Sequence, residues 1–193
     1  MAIDEDPVSF EPMSGSRDRQ RGFTLVEVMI VAAMIAVLAA IAIPVFTSTS
    51  RKARGESEAA TYFQDLRTRL VEYQQEHGIY PHSVGEDSFH PRTPGAQKQT
   101  ILPLPDAWIA IRLRPSGSTD VYCSYTWATG FADDSSNIGP IASAPPPAGF
   151  GFRVPSMNWY YLLAKCNLDG TGGFSYYFTD SVDTSIRKLN EGN

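Results

Sequence analysis

Apolar positions along this chain follow three rhythms, and each predicts a different element. From Val28 to Phe46 they run without a break, and between Phe23 and Ser50 the only ionisable side chain is Glu27. As a helix, Phe23 to Phe46 spans about 24 residues, or about 36 Å at 1.5 Å per residue, which crosses a bilayer. From Ala59 the rhythm changes to spacings of three and four: Ala59, Tyr62, Phe63, Leu66, Leu70, Tyr73. Arg67, Arg69, Glu72 and Glu76 fill much of the rest. This is one apolar face that needs a sheet or core to cover it. Gly78 reads as the stop, and Pro81 bars continuation. A single helix from Phe23 to His77 is expected, with weak points at Pro44, which lacks a backbone donor, and at Gly55.

The third rhythm is period two. Four strands are predicted: Trp108–Arg114, Val121–Trp127, Asn158–Cys166 and Phe174–Thr179. In the second, Val121, Cys123, Tyr125 and Trp127 share one face. Between helix and strands, His82 to Asp106 reads as a long irregular connection; Gly130 to Pro155, with Pro145-Pro146-Pro147, reads as a surface loop. Asp169-Gly170 and Gly172-Gly173 predict a hairpin joining the last two strands. The order is one long helix, a loop and an antiparallel meander on the helix's C-terminal half, an α+β arrangement. Residues 1–22 form a polar leader, 23–46 the apolar half of the helix, 47–78 its amphipathic half and 79–193 a globular domain.

Charge narrows the function classes. The formal net charge is −5; without the leader's three arginines and five acidic residues, 13 basic and 16 acidic side chains remain. There is no general basic face for nucleic acid. The apolar run exceeds the core of an ordinary secretory signal, and Ala39-Ala40-Ile41-Ala42 lies inside it rather than after it. Arg17, Arg19 and Arg21 precede the span and no cation follows until Arg51, which predicts a cytoplasmic N-terminus and an external C-terminal domain. Both cysteines, Cys123 and Cys166, lie in the external part. They read as one disulfide closing a loop of about 44 residues, worth up to about 4 kcal/mol in the chain-entropy model, or alternatively as two free thiols.

Arg21-Gly22-Phe23-Thr24-Leu25-Val26-Glu27 combines a basic leader ending in Gly, a Phe, and a Glu four residues later at the mouth of the apolar run. A carboxylate inside a span costs about 2.5–3.5 kcal/mol at its centre and less near its end. Such a residue is usually kept for a partner. The pattern resembles the prepilin signal of type IV pilins and pseudopilins. The resemblance implies a pilin-like α+β fold, cleavage by prepilin peptidase between Gly22 and Phe23, and N-methylation of Phe23. It also implies that Glu27 pairs with the N-terminal amine of a neighbouring subunit, and that Cys123 and Cys166 tie the sheet. The implied partners are membrane lipid before assembly, an inner-membrane assembly platform, and other pilin subunits in a helical filament. The implied location is the inner membrane, then a surface pilus serving adhesion, twitching motility or DNA uptake.

Two features depart from the family's usual pattern. Ala36 stands where many members carry Gly, which places any helix melting nearer Pro44, and the leader is long and acidic at its start. Glu76-His77-Gly78-Ile79-Tyr80-Pro81 is similar to the helix exit of several pilins and of major pseudopilins, so a type II secretion pseudopilin is the second reading. A single-pass membrane-anchored binding protein is the third.

No enzymatic constellation is present: no catalytic residue, cofactor or metal site is expected. His82, Asp87 and His90 read as solvated loop residues. Asp133, Asp134, Asp169 and Asp180 suit turn chemistry better than calcium. The aromatics Trp108, Tyr122, Tyr125, Trp127, Trp159, Tyr160 and Tyr161 read as core. Arg187 and Lys188 at the tail are too few for nucleic acid.

Overall fold

The computed structural model describes residues 23–82, 89–138 and 147–190. Its elements are α1 (Leu25–His77), β1 (Gln99–Thr100), α2 (Asp106–Ala110), β2 (Asp120–Val121), β3 (Cys123–Gly130), a 3-10 turn (Pro147–Phe150), β4 (Trp159–Cys166), β5 (Ser175–Asp180) and β6 (Arg187–Leu189). The chain divides into two compact units at Ile43/Pro44, and each is described by itself.

In the second unit, the helical face read from the sequence is the face that is covered. Ala59, Tyr62, Phe63, Leu66 and Leu70 are buried in one core with Val121, Cys123, Tyr125, Trp127, Tyr160, Leu162 and Tyr177. Gly78 ends the helix with φ +78°, its N–H donating to Gln74 O at 2.8 Å. A left-handed backbone there suits glycine.

Strands β3-β4-β5-β6 form a four-stranded antiparallel meander. Its second face is also covered: Trp159, Tyr161, Leu163, Tyr176 and Phe178 pack with Phe89, Phe150 and Phe152 from the connecting segments. A sheet buried on both faces explains why β4 is buried throughout and why Ser124, Thr126 and Thr179 are buried despite their hydroxyls. The aromatic residues assigned to the core are there, with Tyr122 only partly buried.

Several local readings are corrected. Trp108–Arg114 is not a strand: α2 occupies Asp106–Ala110, with the Trp108 and Ile109 N–H groups donating to Pro105 O. Pro105 before Asp106 is a helix-start signal, and it outweighs the alternation. Burial follows a helical spacing instead, Trp108 and Ile111 being inside while Ile109 is 58% exposed. The fourth strand is β6, Arg187–Leu189, paired with β5.

Gly55 is no weak point. It is buried inside α1, and a Cβ there would lie 2.7 Å from Leu168 Cδ1 and 3.0 Å from the Tyr177 hydroxyl, so glycine lets helix and sheet approach. His90 is no solvated loop residue either. It bridges Tyr125 through two backbone hydrogen bonds of 2.9 Å, and its Nε2 lies 2.6 Å from Ile101 O. Asp87 lies outside the described residues.

Candidate functional site

Two structural features bear on function: the start of α1 with its apolar half, and the way the second half of α1 is fixed to the sheet. At the start, Thr24 precedes the first helical residue. Its backbone N–H and its hydroxyl both donate to Glu27 Oε2 at 2.9 Å, while the Glu27 N–H donates to Thr24 Oγ1 at 3.2 Å. This is a capping box, in which Thr and the Glu three residues on satisfy each other's orphan donors. Glu27 Oε1 has no partner among the described residues. Sequence reasoning had singled out Glu27 for its isolation in an apolar run and had passed over its reciprocal bond with Thr24, although the Thr-x-x-Glu spacing carries that signal.

From this cap to Ile43 no described residue of the unit covers the helix. Phe23 is 84% exposed, Leu25 76% and Leu38 68%, and the other large apolar side chains here are likewise exposed. The helix is long and apolar enough to cross a membrane. Placed in water, so much apolar surface is unfavourable by about 25 cal/mol per Å². Lipid or other protein around it would remove that cost.

Pro44 sits inside α1. After it, Thr47 donates to Pro44 O at 2.9 Å, and Ser48 and Thr49 donate to Val45 O at 3.0 Å. Hydroxyls folded back onto helix carbonyls in this way satisfy their own donors where water is scarce. Gly22, the residue before the expected cut, lies outside the described residues.

Glu58 anchors the second half of α1 to the sheet. Its carboxylate accepts from the N–H groups of Tyr122 and Cys123 at 2.9 Å, and from the Tyr125 hydroxyl at 2.9 Å. Burial, and then the Glu58 charge, push the Tyr125 hydroxyl well above its ordinary pKa. The same two causes raise Tyr62 to about 12, and its hydroxyl donates to Ser118 O.

Cys123 and Cys166 face each other in register on β3 and β4 and are joined by a disulfide, Cα–Cα 4.2 Å. Three of the four carboxylates weighed as calcium ligands have other partners. Asp134 accepts from Ser136 at 2.8 Å and Asp169 from Thr171 at 3.0 Å. Asp180 accepts the Val182 and Asp183 N–H groups at 2.7 Å and pairs with Arg187.

Comparison with known proteins agrees with this picture over the first part of the chain. A family model described as the prokaryotic N-terminal methylation motif matches residues 17–43. The type IV major pilin protein PilE of Neisseria gonorrhoeae is 40% identical over 62 residues, covering 32% of this chain and 36% of that protein. The type IV major pilin protein PilA of Myxococcus xanthus is 42% identical over 73 residues, 38% of this chain and 33% of its own length. Prepilin peptidase-dependent protein D of Escherichia coli is 44% identical over 61 residues, 32% of this chain and 41% of that protein. The matched part thus spans about a third of the relatives' length. No solved structure matches the chain. Over its first part, where an N-terminal methylation motif opens a long apolar-to-amphipathic helix, this chain is similar to type IV pilins.

Proposed function

We propose that this chain is a pilin subunit, cut between Gly22 and Phe23, methylated at Phe23, and polymerised through its N-terminal helix into a surface filament. The observation that carries the reading is the helix half Leu25–Ile43, whose apolar side chains are exposed to a medium the chain itself does not supply. Lipid serves before assembly and the same half of other copies serves after it. The small side chains Ala32, Ala33, Ala36, Ala39 and Ala40 let such helices approach closely.

Glu27 fits the transfer. Oε2 is held by the cap while Oε1 is open, so one carboxylate can keep its own helix started and accept the Phe23 ammonium of a neighbour. Pairing matters because an isolated charge in an apolar place is costly, whereas a matched pair is tolerated. The pair sets the register in which helices stack. In this reading the chain has no reaction of its own; adhesion, twitching motility or DNA uptake belongs to the filament. Prepilin peptidase and an inner-membrane assembly platform are the partners this route requires, with the N-terminus cytoplasmic and the head external before assembly.

Intact and N-terminal mass spectra of the chain from shed filaments, and separately from membranes, test this reading. A chain beginning at methylated Phe23 and abundant in filaments is the expected result for a major pilin. The same processed chain confined to membranes, or present only as a trace in filaments, identifies a minor pilin or a pseudopilin. Retention of residues 1–22 in the mature protein overturns the proposal and favours the membrane-anchored binding protein.

A further inference from the structure

Beyond the apolar run, the hydroxyl side chains of α1 divide into two sets. Those of Thr47, Ser48, Thr49, Thr61 and Thr68 fold back and donate to helix carbonyls. Those of Ser50 and Ser57 make no such bond among the described residues. Ser50, Arg54 and Ser57 follow one another at steps of four and three, so they share one face of the helix. That face is one wall of a groove of about 610 Å³, with Lys98, Asp120 and Tyr122 among the residues opposite. A volume of this order suits a small organic ligand.

The groove's charges are mixed. Glu58 is engaged, its carboxylate accepting from the Tyr122 and Cys123 N–H groups and from the Tyr125 hydroxyl. Arg54, Lys98 and Asp120 are exposed and form no ion pair among the described residues. Two cations thus face two carboxylates. A ligand carrying one sign of charge would gain from one pair and lose to the other, whereas a zwitterion gains from both. Its anionic part suits Arg54 and Lys98, since a guanidinium and an ammonium both donate to phosphate oxygens. Its cationic part suits Asp120, whose carboxylate has no partner among the described residues.

The cation that fits is a primary ammonium. A quaternary ammonium relies on open aromatic faces, and here they are taken. Tyr62 is buried and stacks on Tyr125 at 4.6 Å, and Lys98 Nζ already lies 5.5 Å over the Tyr122 ring. A primary ammonium needs hydrogen-bond acceptors instead, which Asp120 and the open Ser57 hydroxyl supply.

The position of the groove points to the source of such a ligand. Phe46 ends the apolar run, and Ser50 and Arg54 lie about 6 and 12 Å further along α1 at 1.5 Å per residue. Helical side chains lean toward the N-terminus, here back toward that run. The headgroup layer on each side of a bilayer is about 5–8 Å thick. The groove therefore opens, one turn past the apolar run, at the depth of lipid phosphates and ammoniums. Arg51 and Lys52, the other cations of this stretch, line a separate small cleft with Asp169.

We infer that the groove binds the phosphoethanolamine headgroup of a membrane lipid, its phosphate diester between Arg54 and Lys98 and its ammonium at Asp120. The inference rests on the membrane stage of the reading above and gives that stage a specific lipid ligand. A chain leaving the bilayer for a filament must then give this lipid up.

Lipid competition in nanodiscs tests the assignment. The full chain is placed in nanodiscs of phosphatidylethanolamine, phosphatidylcholine and phosphatidylglycerol, in equal parts and with matched acyl chains. Native mass spectra are expected to show one phosphatidylethanolamine retained per chain, about tenfold over either other lipid, the scale of one charge-assisted hydrogen bond. Phosphatidylcholine has no N–H to offer Asp120, and phosphatidylglycerol has no cation. Arg54→Gln and Asp120→Asn are each expected to abolish the preference. Arg153→Gln, which removes an exposed cation outside the groove, is expected to leave it intact. Retention of the Cys123–Cys166 bond, checked by mass, reports an intact head in every variant.

Equal retention of the three lipids, or a preference for phosphatidylglycerol, overturns the inference and leaves the membrane reading standing. Displacement of the bound lipid by millimolar inorganic phosphate also overturns it, by making the groove a site for a free anion. A chain that does not enter nanodiscs at all overturns the membrane reading and the inference together.

Discussion

The two halves of α1 are both rich in apolar side chains and have opposite surroundings. Between Leu25 and Ile43 the apolar residues occupy every side of the helix and stay exposed, whereas Ala59, Tyr62, Phe63, Leu66 and Leu70 lie on one side and are 0–2% exposed. The difference is one of arrangement: a one-sided stripe can be covered by one sheet, and an all-round surface cannot. The first half therefore takes its stability from whatever surrounds the molecule, and the second from the molecule's own core.

Substituting matched residues in the two halves separates these sources. Leu66→Ala is expected to lower head stability by about 2–5 kcal/mol, the usual cost of emptying a buried leucine site. Ile35→Ala should leave the denaturant midpoint of the head unchanged. Equal losses at both positions would mean that the first half is covered within the monomer.

Ala36→Arg makes the converse test. A guanidinium at the middle of a span costs about 2.5–3.5 kcal/mol on insertion scales, so the equilibrium constant for membrane insertion should fall by about two orders of magnitude while the head remains folded. Unchanged insertion, measured by carbonate extraction, would contradict a spanning role for this segment.

The smallest effect concerns pH and belongs to the head alone. Tyr62 and Tyr125 are raised above the tyrosine value of about 10 by burial and by the Glu58 charge. A raised folded-state pKa adds stability that is intact below the unfolded value and is lost as pH rises from there through the folded value. The head should therefore keep its stability up to about pH 9.5 and then lose up to about 1.4 kcal/mol per pH unit for each such tyrosine. Denaturant melts between pH 7 and pH 11, with tyrosinate absorbance as the probe, test this; a flat profile across that range would contradict the burial described here.

Much of this comparison could be read from residue order. The buried face of α1 is written at its helical spacing, and Val121, Cys123, Tyr125 and Trp127 are written at strand spacing, because each packs against one broad neighbour. What could not be read depends on partners distant in sequence. β6 is only Arg187–Leu189, and it is held by pairing with β5 and by the Arg187–Asp180 ion pair rather than by any periodicity of its own. The segment Trp108–Arg114 satisfied two patterns at once, and the turn chemistry of Pro105-Asp106 decided between them. Gly55 looked like a helix breaker because Leu168 and Tyr177, which come to rest against it, lie more than a hundred residues further on. At the candidate site, isolation exposed Glu27 in the sequence, whereas the open Oε1 depends on how the Thr24 cap holds Oε2 in the folded helix start.

The disulfide has a mechanical consequence. In the filament proposed above, tension would reach each subunit through its helix, and α1 grips the sheet at Glu58, which takes the backbone N–H of Cys123 itself. Force arriving there meets β3 at the residue covalently fastened to β4 through Cys166. Pulling cannot unzip the two strands rung by rung from that end. It must shear several backbone hydrogen bonds together, so the head is strongest where the load enters.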